Sequence, residues 1–178
     1  NITLSILRNG KVMNKTIKLT VPMNSTRLVP FEKYDTPPTY YITGGLVFVP
    51  LTKNYLLEWG NQWFFTAPSE LLTLYQKGIR TPERKQVILL SKVLADEINL
   101  GYHDIDNIII KSVNGNLISS IEDLIEAVEN NKKEFHEFED IDGNKIVLKR
   151  DKVLKYSQRI LDTYKITSDR SEDLKKQK

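Results

Sequence analysis

The sequence predicts an α+β fold in which strands entered through glycine turns are flanked by amphipathic helices. Three stretches carry that expectation. Gly44-Gly45 runs into the apolar Leu46-Val47-Phe48-Val49-Pro50-Leu51 after the turn-rich Tyr34 to Thr43. Gly101 to Gly115 reads as turn, strand and turn around Ile108-Ile109-Ile110, and a helix signature follows it. Phe135 and Phe138 before Asp142-Gly143, with Ile146 and Leu148 after, alternate as the two arms of a hairpin. The glycine pair has two readings. Paired glycines reach positive φ and expose successive N–H groups, so the loop either holds a carboxylate in a small nest or turns the chain into a buried strand.

At the start of the chain Ile2, Leu4 and Ile6 alternate with Thr3 and Ser5. Asn9-Gly10 supplies a turn signal and Thr16 to Val21 alternates again, which predicts a β-hairpin. A lone two-stranded hairpin is marginal in water, so it must dock on the rest of the chain or pair with another molecule. Pro22, Pro30, Pro37 and Pro38 bias the following stretch to an extended linker. After Leu51, Tyr55, Leu56, Trp59 and Trp63 recur at helical spacing. Gly60 interrupts them, and Pro68 opens a second helical segment with Leu71, Leu72, Leu74 and Tyr75 before Gly78. This aromatic cluster, with Phe64 beside it, has three readings: core packing, a docking surface for another subunit or domain, or a membrane-interface anchor. A membrane helix would want a basic polar face, and the neighbouring charge is Glu58.

Arg80, Arg84 and Lys85 read as a solvated turn, and Val87 to Leu90 as a buried strand extended through Val93-Leu94. Ser119 with Glu122 is a capping-box pattern, and Ile121, Leu124, Ile125 and Val128 fall at i, i+3, i+4 and i+7. Asp140-Ile141-Asp142-Gly143-Asn144 invites a calcium-loop reading, with Asp151 at the twelfth place. Glycine at the fourth place rather than the sixth, between alternating flanks, rejects it for a hairpin turn. Val153, Tyr156, Ile160, Leu161 and Tyr164 then share one face of a terminal helix, with Lys152, Lys155 and Arg159 opposite. The charged Ser168 to Lys178 is expected to fray.

Composition narrows the function classes. With 26 basic and 23 acidic residues among 178, the net charge of +3 supplies no strong field for nucleic acid. The absence of cysteine removes disulfides, thiolate metal sites and a cysteine nucleophile, and leaves the redox compartment open. No apolar run approaches membrane-spanning length and no signal-peptide pattern opens the chain, so a soluble piece of something longer is expected, its compartment undetermined. His103 and His136 are expected to face solvent, and nothing assembles a nucleophile, base and oxyanion hole. Hence no catalytic residue, metal or cofactor is expected in these residues.

Tyr40-Tyr41-Ile42 with Gly44 to Leu51, then Tyr55-Leu56, Trp59-Gly60, Trp63, Pro68, Val87 to Leu94, Asn99, Gly101-Tyr102, Val113-Asn114-Gly115 and Arg170-Ser171 with Asp173-Leu174, resemble the C-terminal, second PDZ region of the eukaryotic Deg (HtrA-type, DegP-like) serine proteases. The resemblance implies a PDZ-like, partly open β-barrel or sandwich with flanking helices and a long helical insert. On it, residues 1–24 form a hairpin closing a preceding PDZ domain, 25–39 a Pro-rich linker, 40–165 the PDZ-like domain with its insert at about 53–80, and 166–178 a charged tail. The trypsin-like catalytic domain of such proteases lies before these regions, so proteolysis would belong to a parent chain, in an intracellular or organellar setting.

In PDZ domains a peptide adds itself to the strand after the glycine loop and drops side chains between that strand and a helix. Gly44, Gly45, Leu46, Val47 and Phe48 would form one wall here, and Ile121, Ile125 and Val128 the other. Tyr55, Trp59, Trp63 and Phe64 are the interface candidates. Two functions follow from the resemblance. One is an assembly and regulatory module that contacts its own protease domain and first PDZ domain in a trimer or hexamer. The other is a module that captures a free protein C-terminus and presents it to the protease. In the order Gly44-Gly45-Leu46-Val47-Phe48 either an apolar position has become Gly44 or the inner glycine has become Val47, and because a β-branched valine poorly tolerates positive φ the departure tilts the reading to assembly.

Overall fold

In a computed structural model, which describes residues 1–175, the chain is mixed helix and sheet. An isolated hairpin pairs β1 (Ile2–Arg8) with β2 (Lys11–Ile17) through Asn9 and Gly10, both at positive φ. The second arm therefore starts at Lys11, earlier than the alternation from Thr16 suggests. Every residue of both strands is exposed. Between Pro22 and Arg27 the expected extended linker instead makes one helical turn, α1 (Met23–Thr26).

The body is built on an open seven-stranded antiparallel sheet: β3 (Tyr41–Thr43), β4 (Leu46–Pro50), β5 (Ile88–Val93), β6 (Ile108–Val113), β7 (Asn116–Leu117), β8 (Phe135–Asp140) and β9 (Lys145–Lys149). Its order is β3-β4-β5-β6-β8-β9, with β7 paired to β6, and it does not close into a barrel. Between β4 and β5 lies the insert, α2 (Lys53–Leu56), a 3₁₀ turn at Leu57–Trp59, α3 (Trp63–Thr66) and α4 (Ser69–Lys77). Gly60, at φ 79, breaks the aromatic helix as its sequence suggests. α5 (Ile121–Glu129) precedes β8, and α6 (Arg150–Thr163) follows β9.

The sheet is covered on both faces. Phe48, Ile88, Leu90 and Ile110 pack with α5 and with Val153 of α6, whereas Leu89 and Ile109 pack with Leu28, Val29, Leu51, Leu56 and Leu71. Burial on both faces is why Val87 to Leu90 and Ile108 to Ile110 are continuous apolar runs rather than alternating ones. The helix cap falls one residue later than the Ser119 and Glu122 pattern. Ser120 Oγ accepts from Asp123 N at 3.3 Å, and the Asp123 carboxylate accepts from Ser119 N and Oγ at 2.9 and 2.6 Å. Those Ser119 hydrogen bonds hold the Asp123 carboxyl below its ordinary range. The later register buries both Ser120 and Ile121.

The 140–144 turn is a hairpin, its centre occupied by the Asp140 carboxylate, which accepts from Asp142 N, Asn144 N and Asn144 Nδ2 at 2.8–2.9 Å. No helix among the described residues is long and apolar enough to cross a membrane.

Candidate functional site: the slot beside the glycine loop

Of the residues expected to wall the slot, most lie together, and β3 runs beside them. Leu46 and Phe48 of β4 lie in one core with Ile121, Ile125 and Val128 of α5, and all five are buried. Val47 points to the other face of the strand, is only half-buried and takes no part in that core, which corrects its placement in the wall. Tyr41 of β3 belongs to the same core. β3 runs antiparallel along β4 with Tyr41 opposite Phe48, Ile42 opposite Val47 and Thr43 opposite Leu46. That is the course an added peptide would take.

The glycine loop is the turn of this internal hairpin. Gly44 and Gly45 lie at φ 56 and 85, while Val47 needs no positive φ. The loop is not free to form an anion nest: Gly44 N–H donates to Ser157 Oγ at 3.3 Å, and the carbonyls of Gly44 and Gly45 accept from Asn99 Nδ2 and Leu94 N. A Cβ on Gly45 would stand 2.5 Å from the Leu94 carbonyl oxygen, and one on Gly44 would stand 2.6 Å from Leu148 Cδ1. Close approach, as well as the turn, therefore requires glycine here.

Asn99 organises the loop, a role its polar sequence context does not reveal. Fully buried, it donates to the Gly44 and Leu94 carbonyls at 2.9 Å, and its Oδ1 accepts from Asp96 N. His103 Nε2 also lies 2.9 Å from Asn99 Oδ1, so this ring is half-buried in the loop's support rather than simply facing solvent. His136 departs further from expectation. It is 2% exposed, and burial, with the Arg150 charge adding, lowers its pKa. Asn131 Nδ2 donates to His136 Nδ1 at 3.1 Å, because Asn131 Oδ1 is committed to Lys133 N.

The outer edge of β3 is covered as well. The segment expected to fray runs beside it: Ile42 N donates to the Asp169 carbonyl at 2.7 Å and Ser171 N to the Tyr40 carbonyl at 3.1 Å. Arg170 pins this strap, pairing with Asp169 and with Glu129 of α5 at 2.8 Å, its guanidinium 5.1 Å from the Tyr41 ring centre. Those carboxylates, Asp169 foremost, bind its proton more firmly than usual. Burial pushes the Tyr41 phenol up to about 12, so it stays neutral. Thr39 Oγ1 donates to Asp173 at 2.5 Å, anchoring the chain just before β3. Lys176, Gln177 and Lys178, the rest of the expected frayed tail, lie outside the described residues.

The four aromatic interface candidates separate by burial. Tyr55, Trp59 and Trp63 are half-buried against the core under the insert, with edge contacts between Tyr55 and Trp59 and between Trp63 and Tyr75. Phe64 is 44% exposed, and its neighbour Phe65, absent from the sequence candidates, is 86% exposed. Among the described residues no group of three or more His, Asp or Glu is placed to hold a metal ion.

A PDZ domain model matches residues 29–173, a span that includes the glycine turn, β4 and α5. The chain belongs to the PDZ domain family. It is 35% identical over 171 residues to protease Do-like 2, chloroplastic, and 36% identical over 129 residues to protease Do-like 4, mitochondrial, both from Arabidopsis thaliana. Those matches cover 96% and 72% of this PDZ chain but only 27% and 21% of the relatives. The serine protease DegP homolog of Plasmodium falciparum is 27% identical over 131 residues, 72% of this chain and 14% of its own length. The chain thus spans between 14% and 30% of the length of the relatives it matches, and corresponds to their PDZ part.

Proposed function

We propose that this PDZ region is the non-catalytic assembly and regulatory module of a Deg/HtrA-type serine endopeptidase, and does not capture free peptide along β4. The observation that carries the reading is the filled slot: β3 takes the place along β4 that a ligand strand would take, and the 169–171 strap covers β3 in turn. Expelling three buried residues, Tyr41, Ile42 and Thr43, together with their ladder would cost more than a short peptide regains. The chloroplastic and mitochondrial names of the relatives support an organellar parent, which imaging of the tagged full-length protein tests.

Capture of a free C-terminus keeps one observation in its favour. A cavity of about 470 Å3 lies beside the far end of β4, lined by Val49, Pro50, Tyr55 and the Thr36 to Thr39 arch. Isothermal titration with a library of free C-terminal peptides, run beside light scattering over a concentration series, separates the two. Assembly is supported by a mass that rises with concentration and no micromolar peptide binding. Saturable micromolar binding by a chain whose mass stays that of one copy overturns it.

A further inference from the structure

The cavity of about 470 Å3 beside the far end of β4 falls in the size range of small-molecule sites. It exists because the ladder stops early. β3 pairs with β4 only from Tyr41 to Thr43, and the Thr36 to Thr39 arch before it makes no ladder pair with Val49 or Pro50. Two anchors hold the arch in that position. The Asn54 amide accepts from Lys33 N at 2.9 Å and donates to the Lys33 carbonyl at 2.8 Å, and Asp173 accepts from Thr39 Oγ1 at 2.5 Å. The buried Leu28 and Leu51 line the space between arch and strand, with Val49 and the prolines Pro30, Pro37, Pro38 and Pro50.

The neutral polar groups of the lining are spent on the protein itself. Thr52 Oγ1 accepts from Tyr55 N, Tyr55 OH donates to Asn107, Thr36 Oγ1 donates to the Tyr34 carbonyl, and Gln86 Oε1 accepts from Ile121 N. The four prolines have no N–H and Leu51 N donates to the Val87 carbonyl at 2.8 Å, so the lining is poor in the backbone donors that an added peptide strand requires. Its charged groups are free. Lys33, Arg80 and Glu58 line the cavity, and among the described residues none of these three side chains makes an ion pair or a hydrogen bond. The adjacent Glu32 and Lys53 neutralise each other at 3.0 Å, and Asp173 lies in the field of Lys33 without pairing with it. Lys33, Arg80 and Glu58 are exposed while Leu28 and Leu51 are buried, which gives the cavity a charged mouth and an apolar floor.

We propose that this cavity binds a small apolar monocarboxylate of the fatty-acid type. Lys33 and Arg80 receive the carboxylate, and the hydrocarbon body lies against Leu28, Val49, Leu51 and the prolines. Two cations against Glu58 leave the lining one net positive charge, which matches a single carboxylate better than a dianionic phosphate ester. The bound molecule spans arch and strand, and so braces the approach to β3. This goes beyond the assembly reading and does not depend on it.

Isothermal titration with octanoate, and with octanamide as the same chain without the charge, tests it. Octanoate is expected to bind one to one with a Kd of about a millimolar or tighter. Octanamide binds about tenfold more weakly, and Lys33→Glu/Arg80→Glu weakens octanoate by about the same factor. Both positions are exposed, so the double variant keeps its melting temperature, which calorimetry checks. In methyl spectra octanoate shifts the signals of Leu28 and Val49 and leaves Leu148, outside the lining, in place. No saturable binding of octanoate, equal binding of octanamide, or equal binding by the double variant overturns the proposal. Displacement of octanoate by a free C-terminal peptide of higher affinity overturns the small-molecule assignment. A chain whose mass does not rise with concentration overturns assembly and leaves this site untouched, so the two readings fail separately.

Discussion

Gly45 shows how little freedom the loop has. Its φ of 85 and the 2.5 Å approach of a Cβ to the Leu94 backbone act together, and backbone cannot step aside. Gly45→Ala is expected to destabilise the fold by about 2–4 kcal/mol in urea denaturation. Gly44→Ala, which meets the movable end of Leu148, should cost less. His136 ties stability to pH. Its pKa in the fold lies below the ordinary 6.5 of the unfolded chain, so its contribution is whole above that value and is lost as pH falls below it. Melting followed between about pH 7 and 5 should fall more steeply for the native protein than for His136→Asn, which keeps an acceptor for Asn131 but does not titrate. The burial of His136 was illegible in Glu134 to Glu139, because a strand of alternating charge and ring does not announce which face the sheet will cover.

Among the elements, β3 and its strap lie along the course beside β4 that an added strand would take. Arg170→Ala removes the charge-assisted hydrogen bonds to Asp169 and Glu129 at a partly exposed site, and should cost about 1–2 kcal/mol by chemical denaturation. Amide exchange should accelerate at Ile42, whose N–H donates to the strap, and stay slow at Leu89. Phe48 is fully buried and stacked on Phe138 at 5.2 Å, so Phe48→Asp reports on folding rather than on ligand binding. Helices and strands were legible from period: 3.6 in Ile121 to Val128, 2 in Phe135 to Leu148, interruption at Gly60 and Pro68. The strap was not, because Ser168 to Asp173 has no apolar period and is ordered by tertiary hydrogen bonds and the Arg170–Glu129 ion pair.

Across the molecule, the hairpin and the body are energetically separate. No hairpin strand residue is buried, so removing residues 1–22 should leave the melting temperature of the body unchanged in calorimetry. By itself the sequence determined the α+β class, the order of the elements, the two-sided burial of the central strands and the family, because these follow from local period, turn chemistry and motif. Only the tertiary structure decided that β3 lies along β4 and that the 169–171 strap lies along β3. That arrangement depends on Tyr41 meeting Phe48 and on Arg170 meeting Glu129, and the second pairing spans a distance along the chain over which neither periodicity nor turn chemistry carries information.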